Sequence, residues 1–313
     1  MDAGLYPDTV TRGQTLRRFA TGRWNRFWFE EIPADIFSLL RILFGLAGLF
    51  SVVGLLDVPL FWSCDGLVAS RGDSLCQSMG NLYPYLILCF VITSFAVMAV
   101  GLYTRLAVAC SFCSVFLMAS WNDLPLSAAH QVLRAVLFCL VWADCGRRWS
   151  LDAWLNRRSG PADASTQESV SIWPLRLLQI QVATVYLVTA LWKVNNLMWR
   201  DGSALHYIFE NPQFRRFPVF ASPVWDSWMT LATYSTLAWE VSFAFLLLHP
   251  RTRRWTLALG VVIHLGMWAT LELGPFSWIM LASYVAFVDP RSVGRWFSHS
   301  PTVTPFATVR TEL

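Results

Sequence analysis

The chain has 313 residues, of which 55% are hydrophobic and only 14% are charged. Soluble domains carry about a quarter charged residues, so this chain has too few charges to cover a surface that faces water. The composition therefore favours an integral membrane protein, and 17 tryptophans suit aromatic belts at the membrane interfaces. The net charge of +4 does not call for a nucleic-acid partner, because basic cytoplasmic loops give the same balance.

The chain begins with a polar and basic arm, residues 1–35, which lacks the apolar core of a cleavable signal peptide. We therefore expect the first membrane-spanning helix to target the chain to the membrane. Within the arm, Leu16–Phe29 mixes four arginines with five aromatic residues. This pattern fits an amphipathic helix on the inner membrane surface, and it fits equally a basic tail that only fixes the topology.

Eight segments approach the roughly 20 apolar residues that a membrane-spanning helix needs. They are separated by charged residues or by Gly and Pro, and the third, fourth and eighth are short. The eight segments are Ile36–Leu56, Leu82–Leu102, Leu106–Trp121, Ala128–Ala143, Ile172–Val194, Trp228–Leu248, Trp255–Leu271 and Phe276–Val288. The sequence thus predicts an all-α polytopic bundle of about eight transmembrane helices over residues 36–289, followed by a tail at 290–313.

The basic residues predict the orientation, because cytoplasmic loops of membrane proteins are enriched in Lys and Arg. With the N-terminus inside, 16 of the 24 basic residues fall in cytoplasmic segments, 4 in outer loops and 4 within the spans. Both termini are therefore expected in the cytoplasm, with 57–81 and 195–226 outside and 144–171 inside. The membrane we expect is a bacterial cytoplasmic membrane.

The seven cysteines divide by environment. Cys64 and Cys76 share the first outer loop, where an oxidising compartment would allow a disulfide between them. Cys110 and Cys113 have a C-x-x-C spacing, but they fall inside a predicted span. Small residues that pack between helices explain them better than a redox or metal site does.

The sequence contains a single lysine, Lys193, against 23 arginines. It lies at the outer end of the fifth predicted span, between Trp192 and Trp199. Unlike an arginine, a partly buried lysine can lose its proton and act as a base. Two interpretations without catalysis stay open: a lysine that snorkels to the interface, and a genomic bias toward arginine codons.

Three further ionisable residues fall at membrane depth. His130 begins the fourth span on its outer side, and His264 lies in the middle of the seventh; each is either functional or held by an interhelical hydrogen bond. Glu240 lies within the sixth span, where an unpaired carboxylate costs several kcal/mol. We therefore expect Glu240 to form a structural ion pair with an arginine, for which the candidates are Arg41, Arg134 and Arg176.

The outer loop Asn195–Asp226 is long and rich in aromatic and charged residues, among them Asp201. Loops of this length are often functional. The sequence contains no phosphate-binding, dinucleotide-binding, nucleophile-elbow or zinc-protease motif. We therefore expect neither ATP hydrolysis nor a metal.

An ordered set of segments resembles one family, the HTTM family of vitamin K-dependent γ-carboxylase-like membrane domains. The segments run from Ala34 to about Pro290 and keep the family's order and spacing. They are Leu40–Gly45, Asp65–Leu67, Leu133–Arg134, Trp149–Asp152, Tyr186–Lys193, Trp199–Leu205, His264–Met267 and Phe276–Tyr284.

The resemblance implies an enzyme with an outward-facing, periplasmic site. In the family's carboxylase a lysine at the position of Lys193 deprotonates vitamin K hydroquinone, with O2 and CO2 as co-substrates. His130 matches a histidine that supports this chemistry, and His264 matches one in the seventh helix. The implied cofactor is vitamin K hydroquinone or another lipid quinol, and the implied partners are membrane lipid and a secreted peptide or protein. Trp192 stands where the carboxylase has a second lysine, so the chain departs from the family's pattern at this position.

The sequence leaves two other function classes open. The first is a non-enzymatic membrane protein for the export, maturation or immunity of a secreted peptide. The second is a small-solute transporter, which is disfavoured because the sequence has no inverted repeat and no pair of broken helices.

Overall fold

The structure is a computed structural model that describes residues 22–56, 78–80, 82–121, 127–159, 169–218 and 222–297. These ranges are mostly helical, which confirms the all-α prediction. The helices are α1 (22–29), α2 (Asp35–Leu56), α3 (Leu82–Val100), α4 (Thr104–Trp121), α5 (Ala128–Val141), α6 (Leu151–Ser159), α7 (Trp173–Val194), α8 (Leu197–Arg200), α9 (Ala204–Glu210), α10 (Pro223–Leu246), α11 (Pro250–Thr270), α12 (Phe276–Tyr284) and α13 (Pro290–Phe297). A 3-10 turn, Val285–Phe287, follows α12, and β1 (Glu31–Pro33) pairs antiparallel with β2 (Ser169–Ser171).

Each of the eight predicted spans contains a helix, but three of them are both long and apolar enough to cross a membrane. These are Asp35–Val52, Leu82–Val100 and Trp173–Val194. Shorter apolar helices cover Thr104–Ser120, Ala128–Val141 and Phe276–Phe287. The remaining two, α10 and α11, have 24 and 21 residues but no window that is apolar enough, because α10 carries Glu240 among several Ser and Thr residues and α11 begins with three arginines. The number eight for the spans therefore stays a prediction.

Local sequence signals set the starts of the helices that build the site. Ser222 precedes α10, and its hydroxyl accepts a hydrogen bond from the backbone N–H of Trp225 at 3.2 Å. His249 caps α11 in the same way, through the N–H of Arg251. The first turn of a helix has backbone N–H groups without a partner inside the helix, and these caps accept hydrogen bonds from them. Without a cap, an N–H group in an apolar setting would remain unpaired and would cost stability.

The helices pack as a bundle in which α7 and α10 form one of the closest interfaces. Helix α7 also contacts α5, and α11 contacts both α10 and α12. The buried core is aliphatic and aromatic, with Phe37, Phe44, Phe95 and Phe243 fully enclosed. The polar site described below lies where α7, α10, α11 and α12 meet.

Segments that were predicted on the cytoplasmic side contact one another at one end of the bundle. Asp35 in the first turn of α2 forms an ion pair with Arg148 at 3.0 Å, and Arg291 of α13 pairs with Glu30 at 3.3 Å. The guanidinium of Arg41 is buried and donates to the backbone carbonyls of Cys145 and Trp149. The contacts agree with the predicted grouping of these segments at one end of the bundle.

At the opposite end, the predicted outer loop is more ordered than its sequence indicates. It contains α8 and α9, which pack along α10, and α10 begins at Pro223 rather than at Trp228. Gly202 allows this close approach, since a Cβ atom there would lie 2.9 Å from Thr230. The N–H of Leu205 also donates to Thr233 at 3.2 Å. The helices were not predicted because segments of four and seven residues are too short to show a helical period.

The described part of the N-terminal arm, α1, carries Trp24 and Phe29 with more than half of each side chain exposed. The ring of Phe27 lies 4.7 Å from the Arg176 guanidinium, which holds α1 to the bundle. Exposed aromatic residues between arginines fit the interpretation of α1 as an amphipathic helix.

Candidate functional site

Lys193 lies in the last turn of α7, where α8 folds back over it. Its Nζ atom is 4.4 Å from the centre of the Trp199 ring, within the range of a cation–π contact. About a quarter of the Lys193 side chain is exposed. The ammonium group is therefore held against the protein rather than extended to the interface, which argues against simple snorkelling.

The partner of Lys193 is Glu240 on α10. Lys193 Nζ donates a hydrogen bond to Glu240 Oε1, and the two groups form an ion pair. Glu240 is only 8% exposed, and its second oxygen, Oε2, is buried without a hydrogen-bond partner. A carboxylate with one satisfied and one free oxygen is an unusual feature of a protein interior.

The prediction that Glu240 pairs with an arginine is therefore wrong. Arg41 is used by backbone carbonyls at the opposite end of the bundle. Arg134 donates to Gln131 and lies over Phe116, whereas Arg176 donates to Gln179. The reason lies in which helices pack together. Helix α7 packs closely against α10, and Lys193 is the basic residue of α7 that lies beside Glu240.

A second polar cluster lies deeper in the same interface. Tyr186 of α7 places its hydroxyl 2.8 Å from His264 Nε2 and 2.5 Å from the Tyr284 hydroxyl. His264 is 2% exposed, and its other nitrogen, Nδ1, is buried without a partner. Trp239 and Phe243 of α10 pack their rings on Tyr186, with centroids 5.1 and 3.7 Å away.

The two clusters lie in consecutive layers of one helix interface. Lys193 follows Tyr186 by seven residues, which is about two turns and returns to the same face of α7. On α10, Glu240 precedes Phe243 by three residues, so these side chains also share a face. The ion pair therefore lies next to the histidine–tyrosine cluster along the bundle.

The hydrogen bonds of His130 in the described structure are local to the start of α5. This histidine is buried in the first turn of α5, and its Nδ1 accepts a hydrogen bond from the N–H of Ser127 at 3.1 Å. The neutral ring therefore carries its proton on Nε2, which is buried and has no partner. Within the described residues, no hydrogen bond, ion pair or ring contact joins His130 to Lys193.

The other predicted site residues lie outside the ion pair. Trp192 is 76% exposed, and Arg134 lies on α5. Asp201 accepts hydrogen bonds from the backbone N–H and hydroxyl of Ser203, which lower the pKa of its carboxyl. Its position in the α8–α9 turn indicates a structural role. Cys64 and Cys76 fall outside the described residues.

A shallow groove of about 480 Å³ runs along the first half of α10. Its lining residues are Pro223, Val224, Ser227, Trp228 and Leu231. None of these residues contacts the ion pair through a hydrogen bond or ring contact in the described structure. Among the described residues there is also no group of three His, Cys, Asp or Glu side chains that would hold a metal ion.

Sequence reasoning missed Tyr186, Trp239 and Tyr284 as parts of the site. The available signal was the seven-residue spacing between Tyr186 and Lys193, which places two polar side chains on one face of an apolar helix. The contact of Tyr284 with Tyr186 joins residues 98 positions apart, and no local pattern predicts such a pairing.

Comparison with known proteins identifies relatives of the chain. A model of the HTTM domain matches residues 29–291. The sporulation-delaying protein SdpB of Bacillus subtilis is 25% identical over 141 residues, which cover 43% of this chain and 43% of SdpB. The chain therefore matches less than half the length of this curated relative. No solved structure matches the chain.

Proposed function

This chain belongs to the HTTM family and is a membrane protein, and from that premise we propose that it is a membrane enzyme acting on a lipid quinol. In the proposal, Lys193 accepts a hydroxyl proton at a site that faces the outer side of a bacterial cytoplasmic membrane. The observation that carries the proposal is the buried Lys193–Glu240 pair, in which one carboxylate oxygen remains free.

The ion pair offers a route to a neutral lysine. Two opposite charges in an apolar interface are costly to desolvate, and moving the ammonium proton to Glu240 leaves an amine beside a carboxylic acid. No net charge is moved in this transfer. The Lys193 amine can then accept the proton of a bound hydroxyl group. A lysine on the protein surface is protonated at neutral pH and has no free electron pair to accept it.

The residues present suit a quinol ligand. Glu240 Oε2 is a buried acceptor without a partner and can bind a hydroxyl group, while the Trp199 ring beside Lys193 offers a flat apolar wall. A quinol supplies an acidic hydroxyl group and reducing equivalents when it is bound. For chemistry of the carboxylase type, O2 and CO2 are the co-substrates.

Cryo-electron microscopy of the protein in lipid nanodiscs, with and without added menaquinol, tests the proposal. We expect a flat ring density beside Lys193 and Glu240 that appears only with menaquinol in the wild type. The Glu240→Leu variant, which removes both carboxylate oxygens, serves as the control and should lack the density. Ring density elsewhere, with none at Lys193, would contradict the proposal.

A second candidate function is a non-enzymatic role in the maturation, export or immunity of a secreted peptide, and the similarity to a sporulation-delaying protein is consistent with it. This role does not need a base, and in that case Lys193 and Glu240 would only hold α7 to α10. The two candidates also combine if the quinol-dependent site modifies the peptide.

A comparison of three bacterial strains separates these cases. Secreted peptides are measured by mass spectrometry in the wild type, in a strain lacking the gene and in a strain with Lys193→Arg. A peptide that changes in both altered strains indicates modification at the site. A change that is confined to the deletion strain indicates a role without catalysis by Lys193.

A further inference from the structure

Two buried polar atoms at neighbouring levels of the bundle lack a partner. Glu240 Oε2 is a hydrogen-bond acceptor, and His264 Nδ1 is either a donor or an acceptor, depending on the tautomer. Their side chains are 8% and 2% exposed. An unmet polar group in a protein interior costs about 1–3 kcal/mol, so a molecule that satisfied both atoms, which belong to one interface of α7, α10 and α11, would be stabilised there.

The cluster behind His264 is built to hold one ring orientation. Tyr186 joins His264 Nε2 on one side to the Tyr284 hydroxyl on the other, at 2.8 and 2.5 Å. Gly260 makes room for this arrangement, because a Cβ atom there would lie 2.4 Å from the Tyr284 hydroxyl and 2.9 Å from Trp239. Since the histidine is fixed through Nε2, Nδ1 is the nitrogen that remains for a ligand.

One direction of hydrogen bonding satisfies every group at once. Tyr284 donates to Tyr186, Tyr186 donates to His264 Nε2, and His264 Nδ1 then carries the proton and donates outward. A hydroxyl oxygen accepts this hydrogen bond, and its own proton is donated to Glu240 Oε2. A hydroxyl group can act as donor and acceptor together, and this makes it the matching functional group.

We infer that His264 Nδ1 and Glu240 Oε2 bind the same hydroxyl group of an aromatic ligand, and that Tyr186 and Tyr284 are positioning residues for His264. The inference rests on the proposed function and names the second half of its site. It also assigns a task to His264, since a donor aimed at the oxygen binds more strongly as the oxygen gives its proton to Glu240 Oε2 and the Glu240 carboxyl passes a proton from Oε1 to the Lys193 amine.

A cycle that pairs protein variants with ligand variants tests this contact. Menadiol carries two ring hydroxyl groups, and 1,4-dimethoxy-2-methylnaphthalene has the same rings with both hydroxyl groups methylated. Binding is measured without oxygen in nanodiscs through quenching of tryptophan fluorescence. We expect His264→Leu to weaken menadiol binding about 10-fold, the size of one well-placed hydrogen bond, and to change dimethoxy binding little.

The positioning residues are tested by substitutions that keep the aromatic packing. Tyr186→Phe removes the hydroxyl that orients His264 Nε2, and we expect it to cause a selective loss of menadiol binding of about 3- to 10-fold. The control is Tyr234→Phe on α10, whose hydroxyl donates to the Arg200 carbonyl outside the cluster. Melting temperatures without ligand identify variants that fail to fold, and Tyr284→Phe provides a second variant with intact packing.

The outcomes separate this inference from the proposed function. If His264→Leu and Tyr186→Phe weaken both ligands equally, the role of these residues is structural and the inference is overturned. If menadiol binding depends on Lys193 and Glu240 but not on His264, the inference fails while the proposed function stands. If menadiol does not bind, or binds independently of all four residues, both are overturned.

Discussion

Lys193 and Glu240 bring two opposite charges into an interface that is built mainly of aliphatic and aromatic side chains, next to the cluster of Tyr186, His264 and Tyr284. Such a pair adds little net stability, because both charges lose their hydration, but removal of one partner leaves the other unpaired in an apolar setting. The pair is thus better explained by a function than by a need for stability. The free Glu240 Oε2 atom supports this view, since a purely structural ion pair would gain from a second hydrogen bond.

At this scale we predict a strong asymmetry between single and double substitutions. Lys193→Met should lower the free energy of unfolding by about 3–5 kcal/mol, since it strands the Glu240 carboxylate. The double variant Lys193→Met/Glu240→Leu should regain most of this loss, because no buried charge remains. Thermal unfolding in detergent measures both variants, and equal destabilisation by the two would show that the pair is not buried as described.

At the scale of the elements, a side chain in one helix caps the start of another. Asp152 in α6 accepts hydrogen bonds from the backbone N–H groups of Tyr103 and Thr104 and from the Thr104 hydroxyl, at 2.7–2.8 Å. It thereby caps the N-terminus of α4 from a distance of 48 residues. Burial raises the pKa of the Asp152 carboxyl, but the hydrogen bonds from Thr104 and Tyr103 outweigh it, so the pKa is lowered.

A lowered pKa in the folded state means that this cap stabilises the fold above the pKa of the unfolded state and that its contribution is lost as the pH falls through the folded value. At pH 7, Asp152→Asn replaces charge-assisted hydrogen bonds with weaker neutral ones, and it should therefore lower the unfolding free energy by about 1–2 kcal/mol. The difference from the wild type should shrink below about pH 4. Asp144→Asn, which breaks exposed ion pairs with Arg105 and Arg147, is the control and should cost under about 1 kcal/mol.

Much of the helical architecture was predictable from the sequence, because apolar length and the residues that break helices are local properties. The start of α5 at Ala128 and the end of α7 at Val194 were predicted to the residue. The partner of Glu240 was not predictable, since it depends on which helices pack together. Because the chain has 23 arginines and one lysine, composition favours an arginine as the partner of Glu240. The packing of α7 against α10 instead places Lys193 opposite Glu240.

At the scale of the whole molecule, the distribution of arginines predicts which end faces the cytoplasm. Tyr207 in α9 belongs to the predicted outer loop, and Arg158 in α6 belongs to a predicted inner one. In a background without native cysteines, a membrane-impermeant maleimide should label Tyr207→Cys in intact bacteria and Arg158→Cys only after permeabilisation. The reverse pattern would invert the topology and remove the outward-facing site.

The central claim is that Lys193 acts as a base, and its replacement by arginine tests this claim most directly. Arginine keeps the charge and can still pair with Glu240, so the Lys193→Arg variant should express and fold like the wild type. Arginine does not give up its proton in proteins and cannot act as the base.

The decisive measurement is quinol oxidation by purified protein in liposomes, with the wild type and Lys193→Arg compared at equal folded amounts. Loss of general-base catalysis typically costs about 10²- to 10⁴-fold in rate. We predict that Lys193→Arg oxidises menaquinol at least about 100-fold more slowly than the wild type. A variant that oxidises menaquinol as fast as the wild type would contradict the account, because Lys193 would then be only the cation that holds Glu240.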